Sequence, residues 1–150
     1  MRKLQILGTL AIAGTLLVSC TATTPAAAPA APATAAARVD TVNANLTDAM
    51  KVTVDRNTIT AGKVSFVVKN SGLIAHELVL LRTDVSQEKL AVSTEEPGKM
   101  VETGNVGETG DMDAGASKTF SATLPAGHYI LMCNEVGHYA SGMHIAFTVN

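Results

Sequence analysis

Residues 128–149 read HYILMCNEVGHYASGMHIAFTV, and this stretch decides the fold. Tyr129, Leu131 and Cys133 alternate with His128, Ile130 and Met132, the two-residue period of a β-strand. After Met143 the alternation resumes with Ile145, Phe147 and Val149 on one face, so a second strand is predicted there. The residues between form a loop in which Gly137 and Gly142 stand directly before His138 and Met143. Glycine lets the backbone turn back on itself. A thiol, an imidazole and a thioether, spaced C-x4-H-x4-M, can therefore converge on one point.

The same two-residue rhythm runs upstream. Residues 50–54 alternate, and residues 57–60 form a short β-prone piece. Val64, Phe66 and Val68 share one face, with Ser65 and Lys69 on the other. Asn70-Ser71-Gly72 signals a turn. Residues 76–81 then predict a strand with His76 on the face of Leu78 and Leu80. Residues 118–124 alternate, and Pro125-Ala126-Gly127 makes the next turn. Residues 82–115 are long for a connection. A short helix is expected at 86–91, with irregular loop around Gly98, Gly104, Gly107 and Gly110. Six or seven short strands with turns between them predict an all-β, antiparallel Greek-key β-sandwich of about 110 residues. It carries one long, partly helical insertion. No internal repeat is present.

The first 38 residues stand outside this pattern. Arg2 and Lys3 precede an apolar run over residues 4–18 that is short for a membrane span. The run ends in Leu17-Val18-Ser19-Cys20, which resembles the bacterial lipobox. The expectation is a lipoprotein signal peptide over residues 1–19, lipidation at Cys20, an Ala/Pro-rich tether over 20–38, and a folded domain over 39–150. Pro25, Pro29 and Pro32 obstruct a helix in the tether, and no large apolar side chain is there to bury. An ordinary secretory signal would export the domain equally well. The expected location is the periplasm or the cell exterior, with the lipid as the membrane contact.

Net charge excludes one partner class. The chain carries −2, and loss of Arg2 and Lys3 with the signal would take it to −4. Without a basic patch, nucleic acid is not an expected partner. Residues 82–115 hold eight acidic side chains against three basic ones and read as a solvated insertion. A monomer is expected.

Only Cys20 and Cys133 are cysteines. With Cys20 lipidated, Cys133 has no disulfide partner in an oxidising compartment, so it is buried, reactive or held by a metal. Its neighbours favour the metal. One thiolate and two imidazoles with a weak axial thioether is the blue-copper donor set. Structural zinc asks for four strong ligands, and iron–sulfur clusters for more thiolates. A strand histidine or a core methionine alone is ordinary packing, and His128 and His144 are read that way. The joint occurrence of His76, Cys133, His138 and Met143 carries the reading.

These residues resemble the cupredoxin (type 1 blue copper) family over roughly residues 45–150, with a loop spacing similar to its rusticyanin- and auracyanin-like branch. The resemblance implies one copper ion cycling between Cu(I) and Cu(II). It implies ligation by Nδ1 of His76 and His138, by the Cys133 sulfur, and axially by Met143. It also implies electron transfer between redox partner proteins rather than catalysis. Many members carry Asn or Ser after the first histidine, where this chain has Glu77.

Other functions fit less well. A cysteine nucleophile with His138 as base lacks any matching local signature. A multicopper oxidase needs further paired-histidine sites. A copper carrier or storage protein would cluster exposed Met and His, whereas Met100 and Met112 are scattered. The expected docking patch surrounds His138 and contains Leu73, Ile74, Val136, Tyr139 and Ala140.

Overall fold

A computed structural model describes residues 39–150. The expected signal, Cys20 and the tether lie outside the described residues. Among those described, no helix is long and apolar enough to cross a membrane.

Two sheets face one another. The first has the order β2-β1-β4-β7, from β1 (Val39–Thr47), β2 (Lys51–Val54), β4 (Gly62–Asn70) and β7 (Ser117–Leu124). The second has the order β3-β9-β8-β5-β6. It is built from β3 (Thr58–Ile59), β5 (Val79–Arg82), β6 (Asn105–Glu108), β8 (Gly127–Met132) and β9 (His144–Val149). Pairs such as β4/β7 and β5/β8 join strands distant in sequence, the crossovers of a Greek key. The sandwich is as expected, but its sheets are mixed. β1 runs parallel to β4, and β3 parallel to β9. The chain leaves sheet one after β2, adds β3 to sheet two and returns as β4. That crossover permits parallel pairing, which short hairpin signals do not reveal.

Alternation sets the core. In β4, Val64, Phe66, Val68 and Asn70 are buried while Lys63, Val67 and Lys69 face solvent. Phe66 stacks on Phe120 at a centroid distance of 4.9 Å and meets Phe147 of the opposite sheet at 5.6 Å. Each such aromatic contributes both area and ring-pair energy to the sheet–sheet contact.

Strands β5 and β8 are buried on both faces. Leu78, Leu80, Tyr129, Leu131 and Cys133 face the sandwich interior. Val79, Leu81, Ile130 and Met132 face outward, where Met100, Tyr139 and Leu90 cover them. The insertion is therefore partly a lid over sheet two rather than a wholly solvated loop. Its Gly-rich part supplies the edge strand β6, paired to β5 across a register shift at Leu80/Leu81. The expected helix is a single 3₁₀ turn, Gln87–Lys89.

Candidate metal centre

Four pieces of chain meet at one end of the sandwich. The loop after β8 supplies Cys133 and His138. Gly137 (φ 81°) and Gly142 (φ 91°) both adopt the left-handed backbone that glycine tolerates. Backbone bonds close the loop: Cys133 N–H donates to Met143 O at 3.0 Å, and Met143 N–H donates to His138 O at 3.1 Å. Met143 is fully buried in the same apolar cluster as Cys133.

His76 lies just before β5 rather than within a strand. It pairs with Met112 through N–H···O bonds of 3.2 and 2.8 Å. Buried Asn70 holds the intervening turn. Its Nδ2 donates to Ile74 O (2.8 Å), Met112 O (2.9 Å) and Asp113 O (3.2 Å), and its Oδ1 accepts from Gly72 N–H (2.9 Å).

The donor atoms converge. His76 Nδ1 stands 3.2 Å from His138 Nδ1. Cys133 Sγ is 3.3 Å from His138 Nδ1 and 3.9 Å from His76 Nδ1. Ligands about 2.0–2.3 Å from one ion in a trigonal plane stand roughly 3.5–3.7 Å apart. His76 and Cys133 are fully buried, and His138 is half-buried.

The fourth piece is the turn between β1 and β2. Asp48 Oδ1 lies 3.1 Å from His76 Nε2, and Asp48 Oδ2 accepts from Leu73 N–H at 2.7 Å. Those backbone and imidazole bonds hold the Asp48 carboxyl below its ordinary range, with the Leu73 amide the largest cause. A carboxylate on Nε2–H leaves Nδ1 as a bare lone pair. That lone pair faces His138 Nδ1 at 3.2 Å, with the Cys133 sulfur beside both, the convergence of donors that one shared cation would hold. On these grounds the residues fit a copper ion.

Electrostatics follow burial. Burial pushes the Cys133 thiol up to about 11, against the opposing pull of backbone N–H groups of Glu77 and Glu135. A buried, protonated thiol of this kind does not suit the nucleophile reading. The Glu77 N–H lies 3.4 Å from the sulfur, so this bond is made by the backbone whatever side chain follows His76. The Glu77 carboxyl itself is pushed up to about 7, by burial first and then by the charge of Glu102. Burial lowers His138, with repulsion from His76 adding to it.

Other expected roles divide. His128 is exposed and outside the donor group. His144 is also outside it and stacks on Tyr139 at 4.3 Å. Of the expected patch, Leu73 (85% exposed), Val136 (64%) and Ile74 (45%) are exposed apolar side chains, and Ala140 is exposed too. Tyr139 does not belong to that surface. It is buried, and its hydroxyl donates to Gln87 O. An aromatic with one polar end reads equally well as surface or core until its partner is known. No local pattern marks Asp48 or Asn134, whose partners lie 25 or more positions away, and the turn signal at Asn70 does not reveal its bonds to Met112 and Asp113.

The sulfocyanin (SoxE) domain family matches this chain over residues 30–150. Reduced auracyanin from Roseiflexus castenholzii shares the fold at 20% identity, covering 75% of this chain and 96% of that one, with a TM-score of 0.55. Rusticyanin from Thiobacillus ferrooxidans does so at 18% identity, covering 77% and 79%, with a TM-score of 0.58. Auracyanin A from Chloroflexus aurantiacus, a blue copper protein, matches at 20% identity, covering 75% and 100%, with a TM-score of 0.56. No curated protein sequence matches.

Fold and donor set together define a cupredoxin, a copper-dependent electron carrier with one copper ion as cofactor. Within that class, the chain belongs to the sulfocyanin (SoxE) domain family.

Proposed function

We propose that this protein is an exported, membrane-anchored, monomeric one-electron carrier that shuttles between protein redox partners. His76 Nδ1, His138 Nδ1 and Cys133 Sγ would bind copper in a plane, with Met143 as axial ligand. The observation that carries this reading is the set of donor separations, 3.2, 3.3 and 3.9 Å, among three side chains from two distant segments.

When bound, copper supplies a Cu(I)/Cu(II) couple. The protein's part is to hold the donors still, exclude water and offer one exposed edge. The sandwich buries His76, Cys133 and Met143 completely. His138 alone among them reaches the surface, amid Leu73, Ile74 and Val136, and is the ligand a partner would approach. A rigid, preformed site keeps the same geometry in both oxidation states. The same closure argues against a copper-releasing carrier, since Met100, Met112 and Met132 are buried rather than clustered at the surface. The N-terminal lipobox-like stretch ending at Cys20 supports export and lipid attachment.

Visible and EPR spectra of the Cu(II)-loaded protein test the reading. An intense thiolate-to-copper band with narrow copper hyperfine splitting is expected, and Cys133→Ser should abolish both. A colourless protein that ignores copper would overturn it. Lipid attachment is tested by mass spectrometry of the mature N-terminus, where Cys20→Ala should remove the acyl mass.

A further inference from the structure

We propose that Asp48 is a positioning residue of the metal centre, clamping the outer nitrogen of His76 and strengthening its Nδ1 as a donor. The redox part of this inference rests on the copper reading above, and the structural part does not.

The two oxygens of Asp48 have separate tasks. Oδ1 faces His76 Nε2 at 3.1 Å, and Oδ2 accepts from Leu73 N–H at 2.7 Å. The residue stands in a three-residue hairpin turn, between the paired Thr47 and Lys51. Met50 closes that turn with φ 53°, a left-handed backbone uncommon outside glycine. The facing turn is shaped to receive it. A Cβ on Gly72 would overlap Asp48 Oδ1 and come within 3.1 Å of His76 Nε2. Only a residue without a side chain lets the carboxylate reach the ring. The imidazole is fully buried, while the Asp48 side chain is 37% exposed. One carboxylate thus joins a buried ligand to the backbone of the most exposed residue of the apolar surface, Leu73.

The consequence has a definite sign. An anionic acceptor on Nε2–H pushes electron density onto Nδ1. That favours the more highly charged metal ion, Cu(II), over Cu(I). Removing the charge should therefore favour the reduced state.

Two variants and two readouts test this. Asp48→Asn keeps the shape and removes the charge. Gly72→Ala keeps the charge and forces the carboxylate away. In the copper-free protein, ¹⁵N NMR should show His76 protonated at Nε2, and Gly72→Ala should mix the two tautomers. In the copper-loaded protein, both variants should raise the equilibrium constant for reduction about tenfold, equivalent to about 59 mV for a one-electron couple. Glu95→Gln, which removes an equal but unconnected charge, should change it less than twofold. The proposal is overturned by a wild-type His76 protonated at Nδ1, or by both variants matching Glu95→Gln. Should wild type show no thiolate-to-copper band, the copper reading fails, and the tautomer result alone decides the clamp.

Discussion

Asn134 and Met100 are paired through both ends of one side-chain amide: Oδ1 accepts from Met100 N–H at 2.7 Å, and Nδ2 donates to Met100 O at 3.1 Å. Nδ2 also reaches Glu102 Oε1 at 2.7 Å. Asn134 directly follows Cys133, so the insertion is fastened to the metal loop at its first residue. Asn134→Ala leaves two backbone groups of Met100 without these partners in a buried place. A loss of about 2–3 kcal/mol is expected from urea unfolding, with faster amide exchange confined to residues 98–102.

Phe66 joins the two sheets, touching Phe120 on its own sheet and Phe147 on the other. Phe66→Ala should cost about 3–5 kcal/mol in thermal or urea unfolding. Phe120→Ala should cost clearly less, because Phe120 is only half-buried. Equal losses would contradict the packing described.

Glu77 gives the copper-free protein a pH dependence of definite sign. Its folded pKa, about 7, lies above the ordinary 4.5. The folded state therefore holds this proton more tightly than the unfolded state does. The resulting stability is full below about pH 4.5, declines as pH rises toward 7 and is lost above it. His138 and His144, both lowered by burial, slope the opposite way near their ordinary 6.5. The difference between wild type and Glu77→Gln isolates the carboxyl: the variant should gain relative stability steadily from pH 4.5 to 7. A flat difference in denaturation midpoints would refute the assignment.

The apolar surface beside His138 predicts a kinetic effect without a spectroscopic one. Leu73→Asp or Val136→Asp should slow electron exchange with a protein partner about tenfold, the equivalent of about 1.4 kcal/mol at a contact centre. The visible spectrum should be unchanged. Val92, 61% exposed on the insertion, is the control, and Val92→Asp should leave the rate unaltered.

The parts of this centre that could be read from sequence are those carried by a single loop. Cys133, His138 and Met143 share eleven residues, and the glycines before two of them announce the turns. His76 was legible because an apolar run follows it. Asp48 was not, since its role arises only when the β1–β2 turn lies over Gly72. Asn70 reads as a turn residue and Asn134 only as part of the loop, yet each is buried and bonded to carbonyls brought in by the insertion. The strand β6 was hidden by Gly104 and Gly107, and the parallel pairs by a crossover that hairpin signals do not encode. Strand existence followed from alternation, whereas strand neighbours followed from long-range packing.

The parallel alignment of β1 with β4 fixes where the domain can be handled. β1 starts at Val39 and runs toward the metal end, while β9 runs away from it to Val149. Asp40 and Asn150 consequently line one hollow at the opposite pole. A nine-residue strand, about 30 Å long, separates that pole from the turn bearing Asp48. A resin, an electrode linker or a reporter attached beside that hollow would leave the end that carries His76 and His138 pointing outward and unobstructed.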